Sequence, residues 1–238
     1  MELVEGMDLT EFLKVEKYEA PIPANLRGVI KRSFPTHLVR KSDELRIQSF
    51  PNAIDEFKGK KVYLSQKLDG TSASYIFKDG EFDVCSRNLS LKEDETNVYW
   101  KMAKQYDILA KLQALNKGYA IQGECVGEGV QKNRMGLKGQ YLYVFSIFSI
   151  DENKYLNFEE FKGFCEKLNL QTVPILDIVD FNYTTVDELL ALSDKWKYPN
   201  GHEQEGIVIR AVEEFYSNIL EGRSSFKVIN NNYLLKND

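Results

Sequence analysis

The sequence predicts an α+β fold in which antiparallel β-sheets are flanked by helices, and three observations carry that prediction. Short β-prone runs recur with turn signals between them. Three stretches carry helical spacing or capping signatures. The composition, 43% hydrophobic and 28% charged over 238 residues, suits a packed globular chain rather than a disordered one.

The elements follow in order. Residues 1–60 hold four of the six prolines and no sustained period, so they read as an irregular segment packing over a core built by residues 61–238. From Lys61 the pattern changes. "VYLSQKL", "SASYIFK" and "EFDVCSR" are short strands expected to form an antiparallel sheet, and Asp79-Gly80 is a hairpin signal joining the last two. "TNVYWKMAKQYDILAKLQAL", Thr96 to Leu115, has apolar residues at helical spacing and stops before Gly118, which predicts one amphipathic helix. "YAIQGECV" and "YLYVFSIFSI" read as buried strands around a glycine-rich loop, "GEGVQKNRMGLKG". Asn157 with Glu160, and Thr185 with Glu188, have capping-box spacing and open two further helices. "EGIVIRAV" and "SFKVIN" are the last strands.

Composition also excludes function classes. Cys85, Cys125 and Cys165 are far apart and form no CxxC, which argues against a disulfide framework or zinc knuckle and for small core residues. His37 and His202 are the only histidines, too few for a histidine-rich metal site, and a Ser-His-Asp triad is not expected. Any metal must be held by oxygen. No apolar run is long enough to span a membrane, and the start is acidic without a signal-peptide pattern, so a cytoplasmic protein with no membrane partner is expected. The net charge of −5 sets the chain apart from proteins that grip nucleic acid through many phosphates. If nucleic acid is its substrate, a local groove or a further module must do the holding.

The chemistry gathers on the strands. "SQKLDGTSASY" ends a strand-like run with Lys67, follows it with Asp69, and adds Gly70, which would permit a tight turn beside the ammonium. Glu124 lies in "IQGECV", Glu205 opens "EGIVIR" and Lys227 sits in "SFKVIN". Charges on buried strands are costly unless paired or used, so several converging on one sheet would mark a candidate site.

"KLDG" (67–70), "SRN" (86–88), "GEC" (123–125), "YVFSI" (143–147), "EGIVIR" (205–210) and "FKVIN" (226–230) resemble, in order, the motifs of the covalent nucleotidyltransferases: RNA ligases, DNA ligases and mRNA capping enzymes. KxDG alone is weak; six elements in order are specific. The resemblance implies a nucleotidyltransferase domain, an ATP-grasp-like ligase fold. It makes Lys67 the nucleophile that attacks the α-phosphate of a nucleotide and becomes a lysyl-nucleotide. Such a lysine reacts as the free amine, which Lys227 and a divalent metal, magnesium or manganese, would favour. Asp69, Glu124 and Glu205 are the expected metal residues, acting through water. Glu124 is alternatively a partner for a ribose hydroxyl. Gly70, Arg87, Lys227 and Arg46 would also meet the nucleotide, Arg87 at the ribose or at an RNA 3′ end and Arg46 at the β- and γ-phosphates. Tyr143 and Phe145 are two apart and share a strand face, so one can lie on the base. The carbonyl of Gln66 would accept from the adenine amino group.

The last motif departs from the family's K-x-K. Ser225, Lys227 and Ile229 hold the alternating positions, leaving one lysine, with Lys236 or Arg223 as candidate substitutes. A few residues follow "SFKVIN", so no downstream OB domain of the DNA ligase or capping-enzyme kind is expected. "EGMDLTEFLKVEKYEAPIPA" followed by "KSDELRIQ" is similar to RNA ligases whose OB module precedes the catalytic domain, a module expected to be absent here. The expectation is therefore an ATP-dependent RNA ligase catalytic domain, monomeric, that joins a 5′-phosphate to a 3′-hydroxyl at RNA ends or nicks, duplex ones included. A GTP-using capping-type guanylyltransferase and an inactive nucleotide- or RNA-binding module are the alternatives.

Overall fold

A computed structural model of the chain describes residues 28–237 together with Lys14. The "EGMDLTEFLKVEKYEAPIPA" stretch, Lys14 apart, lies outside the described residues.

The described chain opens with β1 (Ile30–Ser33) and a short helix α1 (Ile54–Phe57), then β2 (Lys61–Lys67), β3 (Thr71–Lys78), β4 (Glu81–Cys85) and β5 (Leu89–Leu91). Helices α2 (Val98–Gln105) and α3 (Ile108–Gln113) lead to β6 (Tyr119–Gly127), β7 (Gln140–Ser149) and β8 (Lys154–Tyr155). Helix α4 (Phe158–Lys167), β9 (Ile175–Asp180) and α5 (Val186–Ser193) follow. The chain ends with β10 (Gly206–Ala211), β11 (Tyr216–Ser217), β12 (Gly222–Arg223), β13 (Ser225–Ile229) and α6 (Asn231–Asn237).

The main strands form two antiparallel sheets, a larger one in the order β1-β5-β4-β3-β6-β7-β8 and a smaller one in the order β13-β10-β2-β9. Strands β2 and β3 are consecutive in sequence yet belong to different sheets. The KLDG segment is thus the crossing from one sheet to the other, and the expected single sheet is two: "VYLSQKL" parts from "SASYIFK" and "EFDVCSR", and Glu124 stands on the larger sheet while Lys67 and Lys227 stand on the smaller.

Alternation explains what each sheet buries. In the smaller sheet Val62 and Leu64 of β2, Ile207 and Ile209 of β10, and Phe226 and Val228 of β13 share one core with Phe57 of α1 and Leu189 and Leu192 of α5. The intervening positions, Ser65, Lys67, Val208, Arg210 and Lys227, therefore face the other way, toward the larger sheet, and all line one cavity. In the larger sheet Tyr75, Ile121, Leu142 and Ile147 pack with α2, α3 and α4. Segment 171–174 ties the sheets together: Val144 N–H donates to Gln171 O (2.8 Å), Val173 N–H to Val144 O (2.9 Å), and Gln66 N–H to Pro174 O (2.9 Å).

Asp79 and Gly80 turn the β3–β4 hairpin with φ of 50° and 83°, the left-handed pair that a type I′ turn needs. Both capping boxes form. The expected single helix over Thr96–Leu115 is instead two, because Asp107 takes φ 49° and breaks it. A straight helix would spread Met102, Ala103, Ile108 and Leu112 around about 220° of its circumference. The break lets all four enter one core. Strands β1, β5 and β9 and helix α6 carry no clear signal in the sequence. Cys85, Cys125 and Cys165 are free and buried, with thiols pushed up to about 12 chiefly by burial.

Candidate active site

A cavity of about 400 Å³ lies between the sheets, of the size that takes a small ligand. The smaller sheet supplies Lys67 at the end of β2, Glu205 just before β10 and Lys227 on β13. Register aligns them: Lys67 pairs with Gly206, the residue after Glu205, and Lys227 pairs with Val208. Lys67 Nζ donates to Glu205 Oε2 at 2.7 Å, with both side chains about four-fifths buried. From the larger sheet, β6 contributes Glu124, which accepts from Ser72 Oγ at 3.4 Å. Burial raises the Glu124 carboxyl to about 7, with Lys67 opposing the rise and Glu205 and Asp69 adding to it. Lys227 is lowered by burial and by Lys67.

The KLDG crossing is held at three points. Tyr198 donates its hydroxyl to Lys67 O (3.1 Å) and accepts from the backbone N–H of Asp69 (3.1 Å) and of Glu205 (3.4 Å). The Asp69 carboxylate is bound by Arg134 of the glycine-rich loop, which also reaches the Tyr233 hydroxyl of α6. Gly70 serves a different purpose from the tight turn expected of it. A Cβ there would stand 2.3 Å from Cys125 O and 2.9 Å from Glu124 Cγ, so only glycine lets the crossing lie against β6.

A bulge places the aromatic. Gln122 pairs with Ser146 but Gly123 with Val144, leaving Phe145 as the extra residue of β7 and aiming it into the cavity beside Val173. Tyr143 packs against the cluster of Leu68, Val126, Met135, Val173 and Tyr198, outside the cavity lining. Gln66 is buried with its amide donating to Gln204 Oε1 at 2.7 Å. At the mouth, exposed Arg87 pairs with Asp43 (2.9 Å). In the cavity lining Arg210, 2% exposed, binds Glu44 (2.7 Å), Ser225 Oγ (3.0 Å) and Phe145 O (3.0 Å). Against the burial penalty, Arg210 and Arg223 hold the Glu44 carboxyl below its ordinary value.

Not every predicted residue converges. Arg46 forms a backbone bridge to Lys227 outside the lining, and its Nε is buried with no hydrogen-bond partner among the described residues. Lys236 pairs with Glu203 (3.0 Å) and Arg223 with Glu214, both away from the cavity. Sequence reasoning missed Arg134, Tyr198 and the Glu44–Arg210 pair. Each sits in a loop or far along the chain from its partner, so no local pattern announces it.

The donor set suits a hard divalent ion held through water. Glu124, Glu205 and Asp69 all line the cavity and offer oxygen alone. Among the described residues no group of three or more His, Cys, Asp or Glu side chains stands ready to ligate an ion directly.

Residues 60–229 match the RNA ligase family model. The chain belongs to the RNA ligase family. Among solved structures, this ligase chain is similar to Naegleria gruberi RNA ligase with PPi, at 38% identity and TM-score 0.80, over 98% of this chain and 67% of that one. A lysine-to-alanine variant of that protein with ATP and Mn matches at 38% identity and TM-score 0.80, over 97% and 66%. A lysine-to-methionine variant with AMP and Mn matches at 38% and 0.79, over 97% and 67%. The ligase chain thus spans about two thirds of the length of these relatives. No curated protein matches it. Among its described residues no helix is long and apolar enough to cross a membrane.

Proposed function

We propose that this chain is an ATP-dependent RNA ligase catalytic domain in which Lys67 becomes lysyl-AMP. The observation that carries the reading is the Lys67–Glu205 pair, with Lys227 beside it on the same sheet, facing Glu124 across one cavity. It is supported by structural relatives whose complexes hold ATP, AMP, Mn and PPi.

In the proposed reaction the Lys67 amine attacks the α-phosphorus of ATP. An N–P bond forms as the nitrogen gives up one proton to solvent, the P–O bond to pyrophosphate breaks, and the bonding pair leaves with pyrophosphate. The amine must first be released from Glu205, its partner in the resting site. Phe145 would lie on the adenine, with Val173 beside it in the lining. Lys227 offsets charge on the phosphoryl oxygens. Magnesium or manganese, held through water by Asp69, Glu124 and Glu205, would supply further positive charge there. Arg87 at the mouth would meet the ribose or the RNA 3′ end. AMP then passes to an RNA 5′-phosphate, and attack of a 3′-hydroxyl on that activated end joins the strands and releases AMP.

The catalytic unit is read over residues 61–238, and the preceding segment, expected to be irregular, adds β1 to its larger sheet and α1 to the core of its smaller one. We propose further that it acts as a monomer in the cytoplasm, and that the surface gripping RNA phosphates lies in an OB-type module beyond this chain. The acidic balance and the relatives' greater length support the latter.

Intact mass after incubation with magnesium and ATP, then with GTP, tests the reading. The expected result is a gain of one AMP with ATP, absent in Lys67→Met. Labelling by GTP alone would instead make it a guanylyltransferase, and no gain with either nucleotide would leave a binding module. Sealing of nicked duplex RNA by this chain alone should be weak beside its self-adenylylation; efficient sealing would refute the need for another module.

A further inference from the structure

Asp69 is fixed from both ends. Its N–H is held by Tyr198, and its carboxylate, 12% exposed, is held by Arg134, itself 16% exposed. The arginine is in turn pinned. Its carbonyl accepts from Asn200 Nδ2 at 2.7 Å, and the loop on either side is closed by Asn133, whose side chain exchanges hydrogen bonds with the Leu137 backbone at 2.9 and 3.1 Å. The guanidinium donates to the Tyr233 hydroxyl and lies 4.9 Å from that ring's centroid. One helical turn on, Lys236 reaches Glu203 at 3.0 Å, beside the same 198–203 loop.

These contacts join four separate parts of the chain: the KLDG crossing, the glycine-rich loop, the loop before Glu205, and α6. We propose that Arg134 is a positioning residue for the nucleophile and that α6 is latched to the active site through it. Arg134 touches no reacting atom in the mechanism above. It acts through Asp69, which shares the Tyr198 hydroxyl with the Lys67 carbonyl. Docking of the last helix thereby sets where the KLDG backbone, and so Lys67, stands. A buried cation between an aspartate and an aromatic ring is stable only while all three remain in place. Undocking α6 therefore loosens Asp69 as well.

The inference rests on the ligase reading, and its test separates the two. Single-turnover formation of the AMP adduct, followed by intact mass across ATP concentrations, gives a maximal rate and a half-saturating concentration. Arg134→Met is expected to lower the maximal rate about tenfold or more, as misplacing a reacting group does, while half-saturation moves by less than about threefold. Arg134→Lys should recover part of the loss. In an Asp69→Asn background Arg134→Met should cost little further in rate, because Arg134 reaches the nucleophile through Asp69. A wild-type maximal rate in Arg134→Met, or a loss that adds in full to that of Asp69→Asn, overturns the positioning role. Hydrogen exchange reads the latch without nucleotide. Residues 231–237 should exchange faster in Arg134→Met and in Tyr233→Phe, and unchanged exchange in both overturns the latch. A wild-type chain that takes up no AMP removes the ligase reading and the positioning role together, whereas loss of the rate effect alone removes only the latter.

Discussion

Glu124 concentrates the conflict within the site. It lies on a buried strand of the larger sheet, where burial makes ionisation costly, and it faces Lys67, which favours the anion. Burial wins, and the carboxyl stands at about 7, above an unfolded value of about 4.3. A raised folded value means that the stability tied to the protonated form is complete below about pH 4 and is lost as pH rises through 7. Glu124→Gln should therefore melt close to the parent at pH 4 and higher than the parent at pH 8, by on the order of 2 kcal/mol. A difference that does not change between those two pH values would sink this account. The same residue shows what sequence can reveal. A glutamate inside "IQGECV" was conspicuous because nothing local could pair it. Arg134, in a loop already rich in polar residues, was not.

At the scale of elements, the strands near the site were legible because alternation and turn chemistry are local: Asp79-Gly80 specifies its hairpin and "SFKVIN" its two faces. The helix pair was not. Its apolar spacing reads as one helix because periodicity has no term for a change of axis, and the break at Asp107 is imposed by the core that Met102 and Leu112 must both reach. Asp107 holds φ 49° and makes no side-chain cap. Asp107→Gly should therefore stabilise the fold by about 0.5–1 kcal/mol in denaturant melts. A loss of stability would mean that the aspartate side chain supports the turn. Strand β9 escaped notice for a related reason. It lies at the edge of the smaller sheet with most of its side chains partly or fully exposed, so burial leaves little alternation in it.

For the whole molecule, the question is what keeps two sheets at a fixed separation with a cavity between them. Arg210 does so from the smaller sheet, reaching Phe145 O on the larger one and Glu44 on the segment before α1. Arg210→Met would leave Glu44 buried without its main partner, at a cost of about 3 kcal/mol. Adding Glu44→Met should recover most of that loss in chemical denaturation, whereas two independent losses would contradict the pairing. This arrangement also bears on the crossing at Leu68–Gly70. Lys67 stands where the chain leaves one sheet for the other, and a lever moves least at its fulcrum. Were the angle between the sheets to change, residues far from this crossing would sweep longer arcs than the amine.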